Sequence, residues 1–367
     1  MIVKAITLDF FRNYLHLEAA FHPRINVIFG DNAQGKTNLL EAVAYLSSAS
    51  SHRARYDREL IQFGVDHAFV KGEVASRGRD FTLEASLHRG ARRQLLSNGV
   101  RLKNAGELAG ILNTVLFCPE DLYLIRAGAE ARRKFLDQCI CQLRPRYAVA
   151  LAEYKRLREH KTRILRDSAE HPDLLDTLDD FSLRMAQCGA ILVHYRAHFI
   201  KKLRQAAPPI HADCSGGRER LELEYRTVST VTDPEAPPKT LLPQLLDHQE
   251  SHRRAEIESR SCLSGPHKDD LSVSIDGCPA GAYASQGQTR TAALALKLAA
   301  RDIFYQDTQE WPVLLLDDVL SELDSRRQEF VLNRITSGQA FITCCEEEKL
   351  VHLREGNAFY IHDGRLA

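Results

Sequence analysis

A glycine-bearing segment near the N-terminus, GDNAQGKT, fits the pattern G-x-x-x-x-G-K-[ST]. Its glycines allow backbone N–H groups to wrap phosphate oxygens, Lys36 brings a positive charge to the β- and γ-phosphates, and the Thr37 hydroxyl can ligate Mg²⁺. An apolar run (INVIF) precedes the segment and a helical pattern follows it, which is the context that the motif requires. The segment predicts binding of ATP or GTP. The predicted nucleotide-binding residues here are Gly30, Asp31, Asn32, Ala33, Gln34, Gly35, Lys36, Thr37 and Asn38.

A second candidate is the apolar run VLLLDD, which ends in two carboxylates, Asp317 and Asp318. Asp317 is placed to hold Mg²⁺ through water, and Asp318 to orient or deprotonate the attacking water. A buried strand ending in two aspartates is by itself a weak signal. Its pairing with the phosphate loop predicts the hydrolytic half of a nucleotide site, with Lys36, Asp317 and Asp318 as the catalytic residues and Thr37 and Asp317 at the metal.

A third motif, SQGQ at residues 285–288, opens an apolar helix far along the chain. Ser285, Gly287 and free backbone N–H groups suit either an ordinary helix cap or a second anion site. Because the phosphate loop already surrounds the phosphates of its own nucleotide, an anion site here most simply meets the γ-phosphate held by another copy. The motif therefore predicts a head-to-tail dimer that sandwiches two nucleotides, with Ser285, Gln286, Gly287 and Gln288 acting in trans.

The elements that position these motifs follow from the hydrophobic pattern of the 367 residues. Alternation in FTLEASLH and an Asn-Gly turn in LLSNGVRL predict an antiparallel sheet, whereas charged and apolar residues at helical spacing fill the middle of the chain. We predict an α/β fold in which residues 1–121 and 262–367 form a discontinuous P-loop NTPase head with an antiparallel β subdomain. Residues 122–261 form a largely helical insertion.

Amino-acid composition bears on the binding partners and the cellular compartment of the protein. Lys plus Arg and Asp plus Glu both number 49, so bulk charge does not argue for nucleic acid or membrane. The nine cysteines match neither a zinc pattern nor a disulfide framework and predict reduced thiols in the cytoplasm. We expect neither a signal peptide nor a membrane span.

The order of these motifs resembles the ABC-type ATPase heads of the SMC and recombination class, and most closely the RecF family of recombination mediators. The resemblance covers nearly the whole chain. The segments that carry it are FRNY (11–14), GDNAQGKTNLLEA (30–42), SSHR (50–53), FCPEDL (117–122), RRKFLD (132–137), GPHKDDL (265–271), SQGQTR (285–290) and LLLDDVLSELD (314–324).

The resemblance implies roles for individual residues. Asp317 corresponds to the Walker B carboxylate, Asp318 to the catalytic position, and residues 285–288 to the signature acting in trans. Ser321 and Asp324 belong to a D-loop that touches the partner subunit, and Arg12 and Asn13 approach the nucleotide.

The resemblance also implies a function. It is that of an ATP- and Mg²⁺-dependent clamp in DNA repair and replication, which dimerises on ATP and binds double-stranded DNA beside single-strand gaps. A slow, DNA-stimulated ATPase resets such a clamp, and RecR is its partner in loading the recombinase. Two alternatives stand beside it: the ATPase subunit of a transporter, and an ATP-switched protein scaffold with no direct DNA role.

Several departures from the wider ABC pattern bear on turnover. Asp318 replaces glutamate, Glu120 or Asp121 replaces the glutamine of the usual metal-sensing loop, and no histidine occurs at Thr343 or Cys344, the next being His352. These departures predict slow hydrolysis.

Within GPHKDDL, Lys268 stands in place of the usual arginine, which keeps the charge but loses the bidentate fork. His267, Asp269 and Asp270 of the same segment suit hydrogen-bonded support better than a metal site.

Local basic clusters are the remaining sign of nucleic acid. Any single cluster fits a phosphate-binding surface and a solvent-exposed face balanced by nearby Glu and Asp equally well. No interleaving of aromatic and basic residues marks a surface on which the bases of a single strand could stack. We therefore expect contact with the duplex backbone or a duplex edge. The clusters are Arg53, Arg55 and Arg58; Arg89, Arg92 and Arg93; Arg132, Arg133 and Lys134; and Lys155 through Arg166.

Overall fold

The computed structural model describes residues 1–335, 337–345 and 356–366. The chain divides into two units, one of Met1–Tyr123 with Ala293–Ala367 and the other of Leu124–Ala292. The first unit therefore consists of two chain segments, as in the predicted head. Residues 262–292, which the sequence analysis assigned to the head, lie in the second unit.

The first unit contains a largely parallel sheet with the strand order β15-β14-β3-β13-β12-β8. Only β15 runs antiparallel, to β14. Strand β3 carries the phosphate loop at its end, and β13 lies between β3 and β12. The strands are β3 (Ile25–Phe29), β8 (Thr114–Phe117), β12 (Val313–Leu316), β13 (Ala340–Cys344), β14 (Gly356–His362) and β15 (Arg365–Leu366).

An antiparallel sheet of order β2-β1-β4-β5-β6-β7 completes the strands of this unit. The Asn-Gly turn lies between β6 and β7, with positive φ at both Asn98 (49°) and Gly99 (75°), as a type I′ hairpin requires. The strands are β1 (Ile2–Phe11), β2 (Tyr14–Ala20), β4 (His67–Ser76), β5 (Arg79–His88), β6 (Gln94–Ser97) and β7 (Val100–Arg101).

Helix α1 (Lys36–Ser48) packs against strands of both sheets and supplies the centre of the core. Leu39, Leu40 and Val43 are fully buried there. A Cβ on Gly72 of β4 would lie 2.4 Å from Leu46 Cδ1, so helix and sheet approach too closely for any larger residue. This packing fixes the start of α1, where the phosphate loop ends. Helix α8 (Ser325–Arg334) follows β12.

The second unit is mainly helical, as predicted, but also contains the antiparallel sheet β11-β10-β9. Strand β9 pairs with β10 over six residues and was not expected from the sequence, because a short strand whose partner lies some 50 residues later leaves no local signal. The elements are α2 (Ala129–Leu143), α3 (Pro145–Asp167), α4 (Leu178–Ser215), β9 (Leu221–Arg226), α5 (Pro238–Ser259), β10 (Asp270–Ile275), β11 (Cys278–Pro279) and α6 (Ala280–Tyr283).

Helix α7 (Gln286–Thr308) begins in the second unit and ends in the first. Its signature motif lies before the division at residue 292 and its apolar stripe mostly after it. In the described ranges, no helix has the length and apolar character needed to span a membrane.

Candidate nucleotide-binding site

The phosphate loop between β3 and α1 has a backbone that only glycine permits at two places. Gly30 and Gly35 have φ of 143° and 120°. A Cβ on Gly30 would lie 2.3 Å from the Ile361 carbonyl oxygen, and one on Gly35 would lie 2.7 Å from Asn13 Nδ2. Asp31, Asn32 and Ala33 are exposed at the loop's outer turn. The loop therefore has the tight shape that suits phosphate contact by backbone amides.

Lys36 is buried, and its ammonium group curls back over the loop. Nζ donates to the carbonyl oxygens of Gly30 at 2.6 Å and Asp31 at 2.9 Å. The Sγ atom of Cys345, the residue that follows β13, lies 3.9 Å from Nζ and 3.1 Å from Asn32 Oδ1. His352, noted in the sequence analysis, lies outside the described residues.

The predicted metal ligands come together across the sheet. Thr37 Oγ1 donates to Asp317 Oδ1 at 2.8 Å, and Thr343 Oγ1, on the intervening strand β13, donates to the same oxygen at 3.0 Å. Burial raises the pKa of Asp317, and these two hydrogen bonds oppose the rise. A hydroxyl and a carboxylate side by side are the hard oxygen donors that Mg²⁺ takes. No sequence motif assigns a role to Thr343, because only the strand order places it between the phosphate loop and Asp317.

Asp318 adopts the left-handed conformation, with φ of 50°. Its backbone N–H donates to Thr343 Oγ1 at 2.7 Å, so Thr343 positions both aspartates. In the predicted D-loop, Ser321 Oγ donates to the Asp318 carbonyl at 2.6 Å, and the Asp324 side chain accepts from the N–H of Arg327 and caps α8. These contacts fix the turn that follows β12.

Arg12 and Asn13 are held by groups around the phosphate loop. The guanidinium of Arg12 forms a bidentate pair with Glu41 of α1, both contacts measuring 2.8 Å. Burial alone would raise the pKa of Glu41, but the hydrogen bonds from Arg12 and Ser51 hold this pKa below its usual value. Asn13 Nδ2 donates to the Gln34 carbonyl, and Asn13 Oδ1 accepts from Asn38, each at 2.8 Å. In this arrangement Arg12 stabilises the helix rather than reaching freely toward a nucleotide.

The two candidates for the metal-sensing position differ in environment. Asp121 Oδ1 pairs with Lys297 Nζ at 2.7 Å, while its Oδ2 accepts from the backbone N–H of Cys118 at 3.0 Å. Glu120 is exposed. The geometry thus favours Glu120 for a nucleotide role, since Asp121 is committed to contacts within the fold.

The signature motif lies in the second unit and forms a capping box. Gln288 N–H donates to Ser285 Oγ at 3.2 Å, and Ser285 N–H donates to Gln288 Oε1 at 2.8 Å. Ser285 and Gln286 remain exposed. The serine therefore caps α7, and the exposed helix start is compatible with either reading given by the sequence.

The GPHKDDL segment is part of a buried hydrogen-bond network in the second unit. Asp269 accepts from Tyr225 OH at 2.5 Å, Thr227 Oγ1 at 2.8 Å and Arg196 Nη1 at 3.0 Å. Asp270 pairs with Arg132. Among the described residues no cluster of three or more potential ligands suits a metal. The segment is thus built as structural support, while Lys268 is exposed.

His267 of this network should make the second unit sensitive to acid. Tyr154 OH lies 2.7 Å from His267 Nδ1, His267 Nε2 lies 3.0 Å from the Cys262 carbonyl, and burial lowers the pKa of the ring from 6.5 to about 4. Between those values the unfolded chain binds a proton that the folded chain does not, so stability falls as pH falls. We expect a loss of about 2 kcal/mol between pH 7 and pH 5.

Denaturant unfolding at those two pH values, followed by ellipticity at 222 nm, measures this loss. His267→Gln should lessen it by about 2 kcal/mol, whereas His16→Gln, at an exposed site on β2, should not. Equal pH dependence in the wild type and His267→Gln would contradict the assignment.

The basic clusters differ in how their charges are used. Arg132 forms a bidentate pair with Asp270 at 2.8 and 2.9 Å, and Arg133 donates to the Asp269 carbonyl at 2.7 Å, so this cluster serves the second unit itself. Within Lys155 through Arg166, Lys161 forms a buried pair with Glu256 at 2.7 Å. In contrast, Arg55, Arg58 and Arg92 are exposed, and no ion pair occupies them within the described ranges.

Arg53, assigned from sequence only to a basic cluster, instead belongs beside the nucleotide site. Its Nη1 donates to Asn38 Oδ1 at 3.1 Å, and its charge lowers the pKa of Asp317 as the weakest of several influences, the largest being burial, which raises it. The signal that was available is its position shortly after α1 in SSHR.

Comparison with known proteins finds relatives that cover nearly the whole chain. Residues 2–363 match the family model described as RecF/RecN/SMC N terminal domain. A "DNA replication and repair protein RecF" of Agathobacter rectalis is 39% identical over 355 residues, covering 96% of this chain and 95% of the relative. The solved structure of the recombination mediator protein RecF-ATP in the RecFOR pathway superposes with a TM-score of 0.90 at 33% identity, covering 100% of this chain and 97% of that one.

A more distant likeness concerns the fold alone. The Smc head domain of Pyrococcus furiosus superposes with a TM-score of 0.55 at 16% identity, covering 100% of this chain and 95% of that chain.

Proposed function

The chain belongs to the RecF family, within the wider group of RecF, RecN and SMC heads, and from this premise we propose that it is an ATP-dependent DNA-binding clamp of recombinational repair. In this proposal ATP joins two copies head to tail, the joined form grips duplex DNA near single-strand gaps, and slow hydrolysis releases it. The observation that carries the proposal is the hydrogen bond between Thr37 and Asp317, which joins the phosphate loop to the strand proposed to supply the Walker B carboxylate.

ATP and Mg²⁺ are the proposed ligands of this site. Backbone amides of residues 31–37 and the Lys36 ammonium would hold the β- and γ-phosphates, and the start of α1 adds its positive end. Thr37 and Asp317 would hold Mg²⁺, which supplies charge neutralisation at the phosphates. Asp318, next to them and anchored through Thr343, would orient the attacking water. Support for ATP comes from the RecF-ATP relative.

The dimer rests on the exposed helix start at Ser285 to Gln288. A capped helix N-terminus retains N–H groups that point outward, and its dipole favours an anion. Ser321 and Asp324 would contact the partner copy.

DNA contact is proposed for the arginines that the fold leaves unpaired. Arg132 is neutralised by Asp270, whereas Arg55, Arg58 and Arg92 carry exposed charge. Phosphate neutralisation by such groups makes binding salt-dependent. By family membership we propose DNA stimulation of the ATPase and RecR as partner in loading the recombinase. The same membership argues against a transporter subunit.

The solution mass of the purified protein, with and without ATP and Mg²⁺, tests the clamp. ATP should double the wild-type mass, whereas Ser285→Arg should bind ATP and stay monomeric, because arginine fills the signature and leaves the phosphate loop intact. Ser259→Arg places the same charge at the exposed end of α5 and should dimerise. Ser285→Ala removes only the side chain that caps α7, which lowers the stability by about 1 kcal/mol. This variant separates loss of the helix cap from obstruction of the signature motif by the arginine side chain.

An unchanged wild-type mass with ATP, or dimers of Ser285→Arg, would overturn the trans role. If the wild type dimerises but binds no DNA at any salt concentration, the chain is an ATP-switched protein scaffold instead.

A further inference from the structure

The most exposed large apolar side chain of the described residues is Phe63, with 99% of its surface accessible. It occupies the second position of a turn at residues 62–65, in which the N–H of Val65 faces the Gln62 carbonyl at 3.4 Å and Gly64 has φ of 83°. That conformation is typical of a type II turn. The ring is thus held out from the surface instead of folding onto the core.

The turn is braced on both sides. Arg89 Nε donates to the Val65 carbonyl at 2.8 Å, and Arg89 N–H donates to the Asp66 carbonyl at 2.8 Å. On the other side, Gln62 N–H donates to the Phe10 carbonyl at 2.8 Å. A fixed backbone that presents a phenyl ring loses little conformational entropy when the ring meets a partner.

Positive charge occurs at the turn, where Arg89 contacts its carbonyl oxygens, and in the chain segment that precedes it. The guanidinium group of Arg89 donates its hydrogen bonds to carbonyl oxygens, and no carboxylate of the described residues pairs with it. Arg55 and Arg58 lie 5.3 and 4.8 Å from the centre of the Tyr56 ring, which is itself 47% exposed. Aromatic and basic side chains therefore do interleave here, contrary to the expectation from sequence. We call Arg55, Arg58, Arg89 and Arg92 the arginine cluster.

Three acids occur nearby and only partly offset the cluster. Asp57 is paired with Arg93 at 3.0 Å. One carboxylate oxygen of Glu59 accepts from the backbone N–H of Arg55 at 2.9 Å. Asp66 is exposed beside the turn. The four arginines of the cluster outnumber these acids, and Phe63 projects from the adjacent turn. This combination suits a polyanion that also offers a flat apolar face.

We propose that Phe63 stacks on the terminal base pair where a DNA duplex meets a single strand, while the arginine cluster contacts the phosphates beside it. Phe63 lies five residues after Arg58, at most about 18 Å along the chain. Arg58 therefore reaches phosphates within about five base steps of the stacked base. The inference rests on the proposed DNA binding and adds the feature by which a junction is distinguished from continuous duplex.

Stacking of a base on an aromatic side chain changes affinity by roughly ten- to a hundredfold. A closed duplex has no exposed base pair, so only the phosphate contacts remain there. The wild type should therefore prefer a tailed duplex over a covalently closed circular duplex by about that factor at fixed salt.

Phe63→Ala tests the stacking directly. It should reduce affinity for the tailed duplex to the level of the closed duplex and leave the closed duplex unaffected, whereas Phe63→Trp should keep the preference. Leu15→Ala, which removes an apolar side chain 59% exposed on β2, is the matched control and should change neither. 2-Aminopurine in the terminal pair should change its fluorescence with the wild type and not with Phe63→Ala.

Each other outcome overturns the inference in a recognisable way. If the wild type binds tailed and closed duplex equally, DNA binding stands and the stacking role falls. If it binds neither, the proposed function fails as well. If Phe63→Ala abolishes the ATP-induced increase in mass, the occupant of this surface is a second copy of the chain instead of DNA.

Discussion

Asp318→Asn is expected to lower the rate of ATP hydrolysis by about a hundredfold or more while ATP binding persists, because the variant loses a carboxylate that orients or deprotonates water. Asparagine adopts the left-handed conformation as readily as aspartate, so the turn at φ of 50° and the hydrogen bond to Thr343 should survive. Steady-state phosphate release, with ATP affinity measured in parallel, gives the two quantities.

A matched variant at the neighbouring carboxylate separates hydrolysis from metal binding. Asp317→Asn removes the charge that Thr37 and Thr343 contact and should raise the Mg²⁺ concentration needed for half-maximal hydrolysis, whereas Asp318→Asn should leave that concentration unchanged. Turnover of Asp318→Asn within threefold of the wild type would remove Asp318 from the mechanism.

Arg196→Met is expected to destabilise the second unit by about 3–5 kcal/mol. The buried guanidinium of Arg196 contacts Asp137 at 2.8 Å, Asp269 at 3.0 Å and the Pro266 carbonyl at 2.6 Å. Without it, two carboxylates in a buried setting lose their counter-charge. Denaturant unfolding followed by ellipticity at 222 nm is the appropriate measurement, because the single tryptophan, Trp311, lies in the first unit.

A compensated variant distinguishes loss of the charge from loss of volume. Combining Arg196→Met with Asp137→Asn and Asp269→Asn removes the stranded charges and should recover most of the stability. If the triple variant is no more stable than Arg196→Met alone, packing rather than charge accounts for the loss.

The left-handed turn at Asp318 also gives a physical reason for one departure from the wider ABC pattern. Aspartate tolerates this conformation, whereas most residues with a longer side chain pay about 1–2 kcal/mol there. The shorter catalytic side chain thus agrees with the backbone that carries it.

The features that could be predicted from sequence are those that depend on local chemistry. The spacing of Gly30, Gly35 and Lys36 requires a loop that encloses an anion, and the run before Asp317 requires a buried strand. Asn98-Gly99 requires a hairpin turn. Each of these features depends on residues that are neighbours in the chain, and their conformational preferences do not depend on the tertiary structure. The α/β head and its nucleotide motifs could therefore be predicted.

Which distant groups share an environment could not be predicted from the motifs and follows from the folded chain. Thr343 meets Asp317 because β13 lies between β3 and β12, and strand order depends on the whole sheet. The charges of Arg132 and Arg55 look alike in sequence, but one is neutralised by Asp270 and the other remains exposed. Coulomb energy and burial depend on distances between residues far apart in the chain, and those distances exist only after folding.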